Sequence, residues 1–203
     1  MDTLQTRFEA GLANARRYFM GDADVQRAAK KLAARLGEMG IPYAICGGLA
    51  VTAHGYARTT EDVDVLLTPD GLRRFKERWL GLGWVEKFPG SKGLRDAEHH
   101  VNVDILLTGE YPGDGKPKPV HFPDPAAAFV QAGETRLLSL PVLIELKLAS
   151  GMSAPSRLKD LADVEELIIA NKLERAFATR LDASVRDKYD ELWSAAQTRE
   201  DER

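Results

Sequence analysis

The sequence predicts an α+β fold: a small mixed β-sheet core with helices on one face, followed by a C-terminal helical bundle. Three observations predict it. Short apolar runs of strand length, "YAIC", "DVDVLL" and "HVNVDILL", are separated by stretches with helical spacing. A loop dense in glycine and proline, Gly109 to Pro119, interrupts that alternation. From about Pro125 onward the spacing reads as helical. The expected organisation is an N-terminal helix over 1–22, an α/β core over 23–124 and a helical region over 125–203.

Taken in order, Leu4, Phe8, Leu12, Ala15 and Phe19 predict an amphipathic helix over Asp2 to Tyr18, broken at Gly21-Asp22. A second helix, about Ala23 to Met39, places Val25, Ala29, Leu32, Leu36 and Met39 on one face. Its other side carries Arg27, Lys30, Lys31 and Arg35, which suits a solvated face or a phosphate-contacting surface. "YAICGG" is the first strand, "LAVTAHG" a two-turn helix and "DVDVLLT" the second strand. A helix rich in Arg and Lys follows over Leu72 to Leu82. "WVEKF" and "HVNVDILLT" are further strands, "GSKGLRDAEH" is too polar to assign, and "VHF" suits a short edge strand. Pro141 opens a helix continuing to Gly151, since its missing N–H is an orphan there anyway. Arg157 to Asn171 and Glu174 to Gln197 complete the helical half.

Composition narrows the function classes. Of 203 residues, 44% are hydrophobic and 29% charged, as in ordinary globular proteins, and the chain can bury a real core. A formal net charge of −3 speaks against a broad nonspecific nucleic-acid coat but leaves room for a local basic patch. A single cysteine, Cys46, excludes an intrachain disulfide framework and fits a reducing compartment. The charged N-terminus lacks a secretion signal's apolar stretch, and no run is long enough to cross a bilayer. The expectation is a soluble cytoplasmic protein with no membrane partner.

The chemistry concentrates in "CGGLAVTAHGYARTTEDVDVLL", Cys46 to Leu67. Alternation along a strand puts Asp62 and Asp64 on one face, roughly 7 Å apart, and Val63, Val65 and Leu67 on the other. "VNVDILL" has the same phase, with Asp104 facing away from Val101, Val103 and Ile105. If the two strands are neighbours, three carboxylates converge and repel unless a cation intervenes. An all-oxygen donor set of this kind suits Mg²⁺ or Mn²⁺. Gly47 and Gly48, where a strand turns into a helix, let backbone approach an anion such as a triphosphate. His99-His100 does not read as a zinc site, since adjacent residues on a strand face opposite ways and no cysteine stands near.

The order strand, GG, helix, strand with Asp-x-Asp resembles the signature of the DNA polymerase β-like nucleotidyltransferase superfamily. "GGLAVTAHGYARTTEDVD" is most similar to the minimal nucleotidyltransferases of the AbiEii toxin type, with His54, Gly55, Arg58, Thr60, Asp62 and Asp64 matching their HG-x-x-R-x-T-x-D-x-D ending. Asp104 fits the family's third metal-binding carboxylate. Lys147, Arg157, Asp160 and Asp163 occupy the places of that group's later Lys and R-x-x-D-x-x-D segment, so the likeness spans about Ile45 to Ile168.

The resemblance implies a nucleotidyltransferase that moves a nucleoside monophosphate from an NTP to an acceptor hydroxyl. Asp62, Asp64 and Asp104 would hold the metal, with Gly47, Gly48, Arg58, Thr60 and Asp163 around the nucleotide and Lys147 in the catalytic set. It also implies an RNA (tRNA) or protein acceptor and an antitoxin partner. Alternatives stay open at several residues. Arg58 either neutralises phosphate or bridges to Asp62, and Lys147 either meets the triphosphate or snorkels to solvent. Thr60 caps a turn or touches substrate. Arg157–Asp160 and Lys159–Asp163 could be surface pairs only. The other function classes are an antibiotic-modifying nucleotidyltransferase, for which an acidic pocket is expected, and a noncatalytic nucleotide-binding module. A basic rim, to which Arg73, Arg74, Lys76 and Arg78 would contribute, is the expectation for RNA.

Overall fold

The computed structural model describes residues 24–201. The helix expected over Asp2 to Tyr18 therefore lies outside the described residues. Among these, the α-helices are α1 (Asp24–Glu38), α2 (Gly47–Ala53), α3 (Pro69–Trp79), α4 (Leu140–Gly151), α5 (Leu158–Ala170) and α6 (Arg186–Asp201), with short 3-10 turns at Pro155–Arg157, Arg175–Arg180 and Ala183–Val185. The strands are β1 (Tyr43–Ile45), β2 (Asp62–Leu67), β3 (Trp84–Glu86), β4 (Leu94–Asp96), β5 (Asn102–Leu107), β6 (Phe129–Ala132) and β7 (Thr135–Leu138). Together they form one mixed sheet in the order β3-β4-β5-β2-β1-β7-β6.

Sequence periodicity explains the two sides of this sheet. On one face Val63, Val65 and Leu67 of β2 and Val103 and Ile105 of β5 are buried under α1 and α3. Those helices contribute Val25, Ala28, Ala29, Leu32 and Leu36, and Leu72 and Phe75. On the opposite face Ala44, Cys46, Leu66 and Leu138 pack against α2 and the C-terminal helices. Removing this apolar surface from water is the main stabilising term on both faces.

Four elements differ from expectation. Helix α3 begins at Pro69 rather than Leu72. Thr68 is its N-cap, accepting a hydrogen bond from Gly71 N at 3.0 Å, and Pro69 sits where no N–H is required. Part of the unassigned polar stretch pairs as β4, whose Leu94 and Asp96 turn inward while Arg95 stays exposed. "VHF" is not a strand; Phe122 instead exchanges backbone hydrogen bonds with Gly109 and Glu110 at 2.8 Å. The segment after Pro125 is not all helical, because β6 and β7 form a hairpin around Gly133-Glu134, with Gly133 at φ +59°. A two-residue turn opening on such a glycine matches strand twist. Through β7 the C-terminal region joins the sheet, parallel to β1 at Ile45 and Leu137.

Candidate active site

The register of β2 against β5 decides the site. These strands run parallel and adjacent, Asp64 opposite Asp104 and Asp62 opposite Asn102. Both faces alternate in phase, so the three carboxylates leave the sheet on the side away from α1 and α3. All three line one cleft of about 790 Å³, together with Gly47, Arg58, Lys147 and residues of the Gly109–Gly115 loop. A volume of this order suits a small-molecule substrate. Its charged end holds the carboxylates, while Leu106, Phe122, Leu138, Leu143 and Leu146 line an apolar part.

Asp64 is the most confined of the three. Burial pushes its pKa up to about 6, the charges of Asp62 and Asp104 add to the rise, and Lys147 and Arg58 partly offset it. By chemistry an oxygen-only donor set of this kind suits a hard divalent cation, although the three carboxylates' oxygens do not all lie within 4.8 Å of one another. Gly47 makes this arrangement possible. Its φ is +55°, and a Cβ on it would lie 1.7 Å from Asp64 Oδ2. Gly48 does the same for the neighbouring segment, since a Cβ there would lie 2.7 Å from Thr60 Oγ1 and 3.2 Å from Arg58 Nη2. Thr60 Oγ1 lies 3.3 Å from the Asp62 carbonyl and 3.4 Å from Asp62 Oδ1, orienting that aspartate. The trio is open: among the described residues, Asp104 is its one member in an ion pair, with Lys87.

Behind the carboxylates lies a second charged layer. Lys147 is 7% exposed on α4, its Nζ 2.6 Å from Asp163 Oδ2 and 2.9 Å from Asp160 Oδ1. It does not snorkel to solvent. Arg58 Nε lies 3.1 Å from Asp163 Oδ1, so its carboxylate partner is Asp163 rather than Asp62. Asp163 is 2% exposed and stands behind Arg58 and Lys147, outside the cleft lining. Asp160 also accepts from Ser150 Oγ at 2.7 Å. Burial raises its pKa, but Lys147 and the Ser150 hydrogen bond outweigh that, leaving the carboxyl below its ordinary value. Neither aspartate belongs to a mere surface pair. Arg157 does stay half exposed, 3.9 Å from Asp160 and donating to Gly113 O at 3.3 Å. His54 is structural, its Nε2 2.8 Å from the Leu138 carbonyl.

The basic helices lie elsewhere. Arg73 pairs with Asp70 and Glu77, Arg74 donates to Met39 O, and Lys76 pairs with Glu86, all on the α3 side of the sheet. They form no rim of the carboxylate cleft. Within the stripe of α1, Lys31 is committed to carboxylates rather than free for phosphate. Its Nζ lies 2.6 Å from the fully buried Asp96 and 2.9 Å from Glu98. Asp96 also meets His99 Nδ1 at 2.6 Å. Asp96, Glu98 and His99 are the set among the described residues whose ligand atoms all lie within 4.8 Å of one another. The ammonium of Lys31 already supplies the positive charge there. Burial would raise the Asp96 pKa, yet hydrogen bonds from Lys31 and His99 bring it below the ordinary value.

Sequence reasoning missed Lys87, Lys92, Glu110 and Tyr111, of which the last three line the cleft. The Gly/Pro-rich composition of Gly109–Pro119 marked a loop, and its position directly after the Asp104 strand was the available signal for a cleft wall. Lys87 carried no signal, because its contact with Asp104 is made across the sheet.

No family model and no curated protein matches the chain. Among solved structures it resembles ANT(2'')-Ia in complex with adenylyl-2''-tobramycin, with 18% identity over 82% of this chain and 92% of that one, at a TM-score of 0.47. It also resembles JHP933 from Helicobacter pylori, with 16% identity over 84% and 90% of the two chains, at a TM-score of 0.44. Likeness of this degree bears on neither substrate nor chemistry. Among the described residues no helix is long and apolar enough to cross a membrane.

Proposed function

We propose that the protein is a nucleotidyltransferase that moves a nucleoside monophosphate from an NTP to an acceptor hydroxyl. The observation that carries this reading is the in-register pairing of Asp64 with Asp104, beside Asp62, in a cleft also lined by Arg58 and Lys147. Asp62, Asp64 and Asp104 would hold Mg²⁺ or Mn²⁺. When bound, the metal supplies positive charge to the phosphate oxygens and makes the acceptor hydroxyl more acidic.

The chain's own residues do the rest. A lysine has three donors; on Lys147 one goes to Asp160, Asp163 pairs with the ammonium by charge, and a remaining donor is directed to a phosphate oxygen. Arg58, facing Asp163 through Nε and donating from Nη1 to Thr59 O at 3.5 Å, keeps Nη2 for the same task. Both cations are held before substrate arrives, so little reorganisation accompanies charge development. The acceptor oxygen bonds to the α-phosphorus as the bond to the α–β bridging oxygen breaks, and pyrophosphate leaves with that electron pair. Asp104, on the strand beside that of Asp62 and Asp64, takes the hydroxyl proton. The apolar lining at Leu106, Phe122, Leu138 and Leu143 receives the base.

The acceptor follows two lines. The resemblance to AbiEii-type toxins favours RNA (tRNA) or protein and an antitoxin partner. One observation favours a small cationic acceptor, as in antibiotic modification: the Arg and Lys residues of α3 lie on the far face, while the cleft is lined by five carboxylates (Asp62, Asp64, Asp104, Glu110, Asp160) against four cationic side chains (Arg58, Lys92, Lys147, Arg157). The test is incubation with Mg²⁺ or Mn²⁺ and each α-labelled NTP, with total RNA, lysate protein or an aminoglycoside. Label should move to one acceptor class and fall about 100-fold or more in Asp62→Asn and Asp64→Asn. Label transfer that persists in both variants overturns the site.

A further inference from the structure

We propose that Lys87 is a tethered counter-cation of Asp104, which competes with the divalent ion for that carboxylate and so sets the metal affinity of the site. The inference rests on the metal-holding role proposed above for Asp62, Asp64 and Asp104. Lys87 follows β3 at the start of the loop to β4, and its backbone N–H donates to Gly93 O at 3.1 Å, closing the loop. Its stem crosses Gly93, where a Cβ would stand 3.0 Å from Lys87 Cδ and 3.4 Å from Cε. The bare glycine leaves a channel along which the side chain reaches the next strand. The ammonium ends on Asp104 Oδ1.

The contact is selective within the trio. Among the described residues neither Asp62 nor Asp64 has an ion-pair partner, and Lys92 on the same loop is held by Glu110 instead. An oxygen engaged by an ammonium is a weaker ligand, and a divalent ion beside it repels that ammonium. Either cation can satisfy Asp104, so binding one weakens the other. The exchange is feasible because the pair is solvent-accessible, with the two side chains 26% and 43% exposed. Exposed pairs of this kind are weak and easily broken.

Mn²⁺ binding to the metal-free protein, followed by the loss of the free-ion electron paramagnetic resonance signal, reads this directly and without turnover. Lys87→Met should tighten Mn²⁺ binding about fivefold, equivalent to ~1 kcal/mol. Lys92→Met removes the same charge from the same loop and should change it by less than about twofold. An unchanged or weakened Kd in Lys87→Met overturns the proposal, as does equal tightening in both variants, which would mark a general field effect. Failure of the underlying reading looks different: Asp64→Asn would then bind Mn²⁺ as tightly as the unaltered chain.

Discussion

At Gly47 a positive φ and the closeness of the Asp64 carboxylate coincide, so any side chain there collides with the group the site depends on. The neighbouring Asp64 has a measurable consequence. With a pKa raised to about 6, it is protonated in the folded, metal-free protein below that pH. A neutral carboxyl is a poor metal ligand, so the Kd for Mn²⁺ should be nearly flat above about pH 6 and rise about tenfold per unit below it. Calorimetric titrations at about pH 5, 6 and 7.5 check this; a flat profile would place Asp64 outside the metal site. The same shift works against stability. An unfolded aspartate ionises near pH 3.9, and the folded one only near 6. This group's contribution is therefore fully present below about pH 4 and lost by about pH 6, roughly 3 kcal/mol in all.

Among the elements, α5 carries more than its helical spacing announced. The buried Asp163 joins Arg58, from the segment before β2, to Lys147 on α4. Removing Asp163 leaves Arg58 without its carboxylate partner and Lys147 with Asp160 alone, and a buried charge stripped of its partner is costly. Asp163→Ala should therefore destabilise the protein by about 3–5 kcal/mol in urea unfolding, while Arg157→Ala, half exposed, should cost less than about 1 kcal/mol. Near-equal effects would mean the network is not a structural anchor. Legibility also varied by element. The periodicity of α1 and α5 and the alternation of β2 and β5 were plain, because each turns one continuous apolar face to the core. The β6–β7 hairpin was not, since Ala126–Ala128 and the following apolar residues satisfy either period. Gly133-Glu134 was the one turn signal.

Across the whole molecule, the sheet separates two chemistries. One face carries α1 and α3 with their basic residues, and the other carries the carboxylate cleft. If the acceptor approaches only from the cleft side, the double substitution Arg73→Ser with Arg78→Ser should leave nucleotidyl transfer within about twofold, since Arg73 is paired with Asp70 and Glu77, Arg78 lies over the Trp79 ring, and both exposed charges are screened from the cleft. A drop of tenfold or more in the labelling assay would mean that the acceptor also wraps the far face, as an RNA could.

Local chemistry in the chain itself determined that Asp62 and Asp64 share a face, that Asp104 has the same phase, and that Gly47 and Gly48 stand beside them, because a strand's alternation follows from backbone geometry alone. Whether β2 and β5 touch, that Arg58 turns to Asp163, that Lys147 is enclosed and that Lys87 caps Asp104 were decided only by tertiary structure. Each of those contacts joins residues from separate segments, and their pairing follows from how two apolar faces are buried at once.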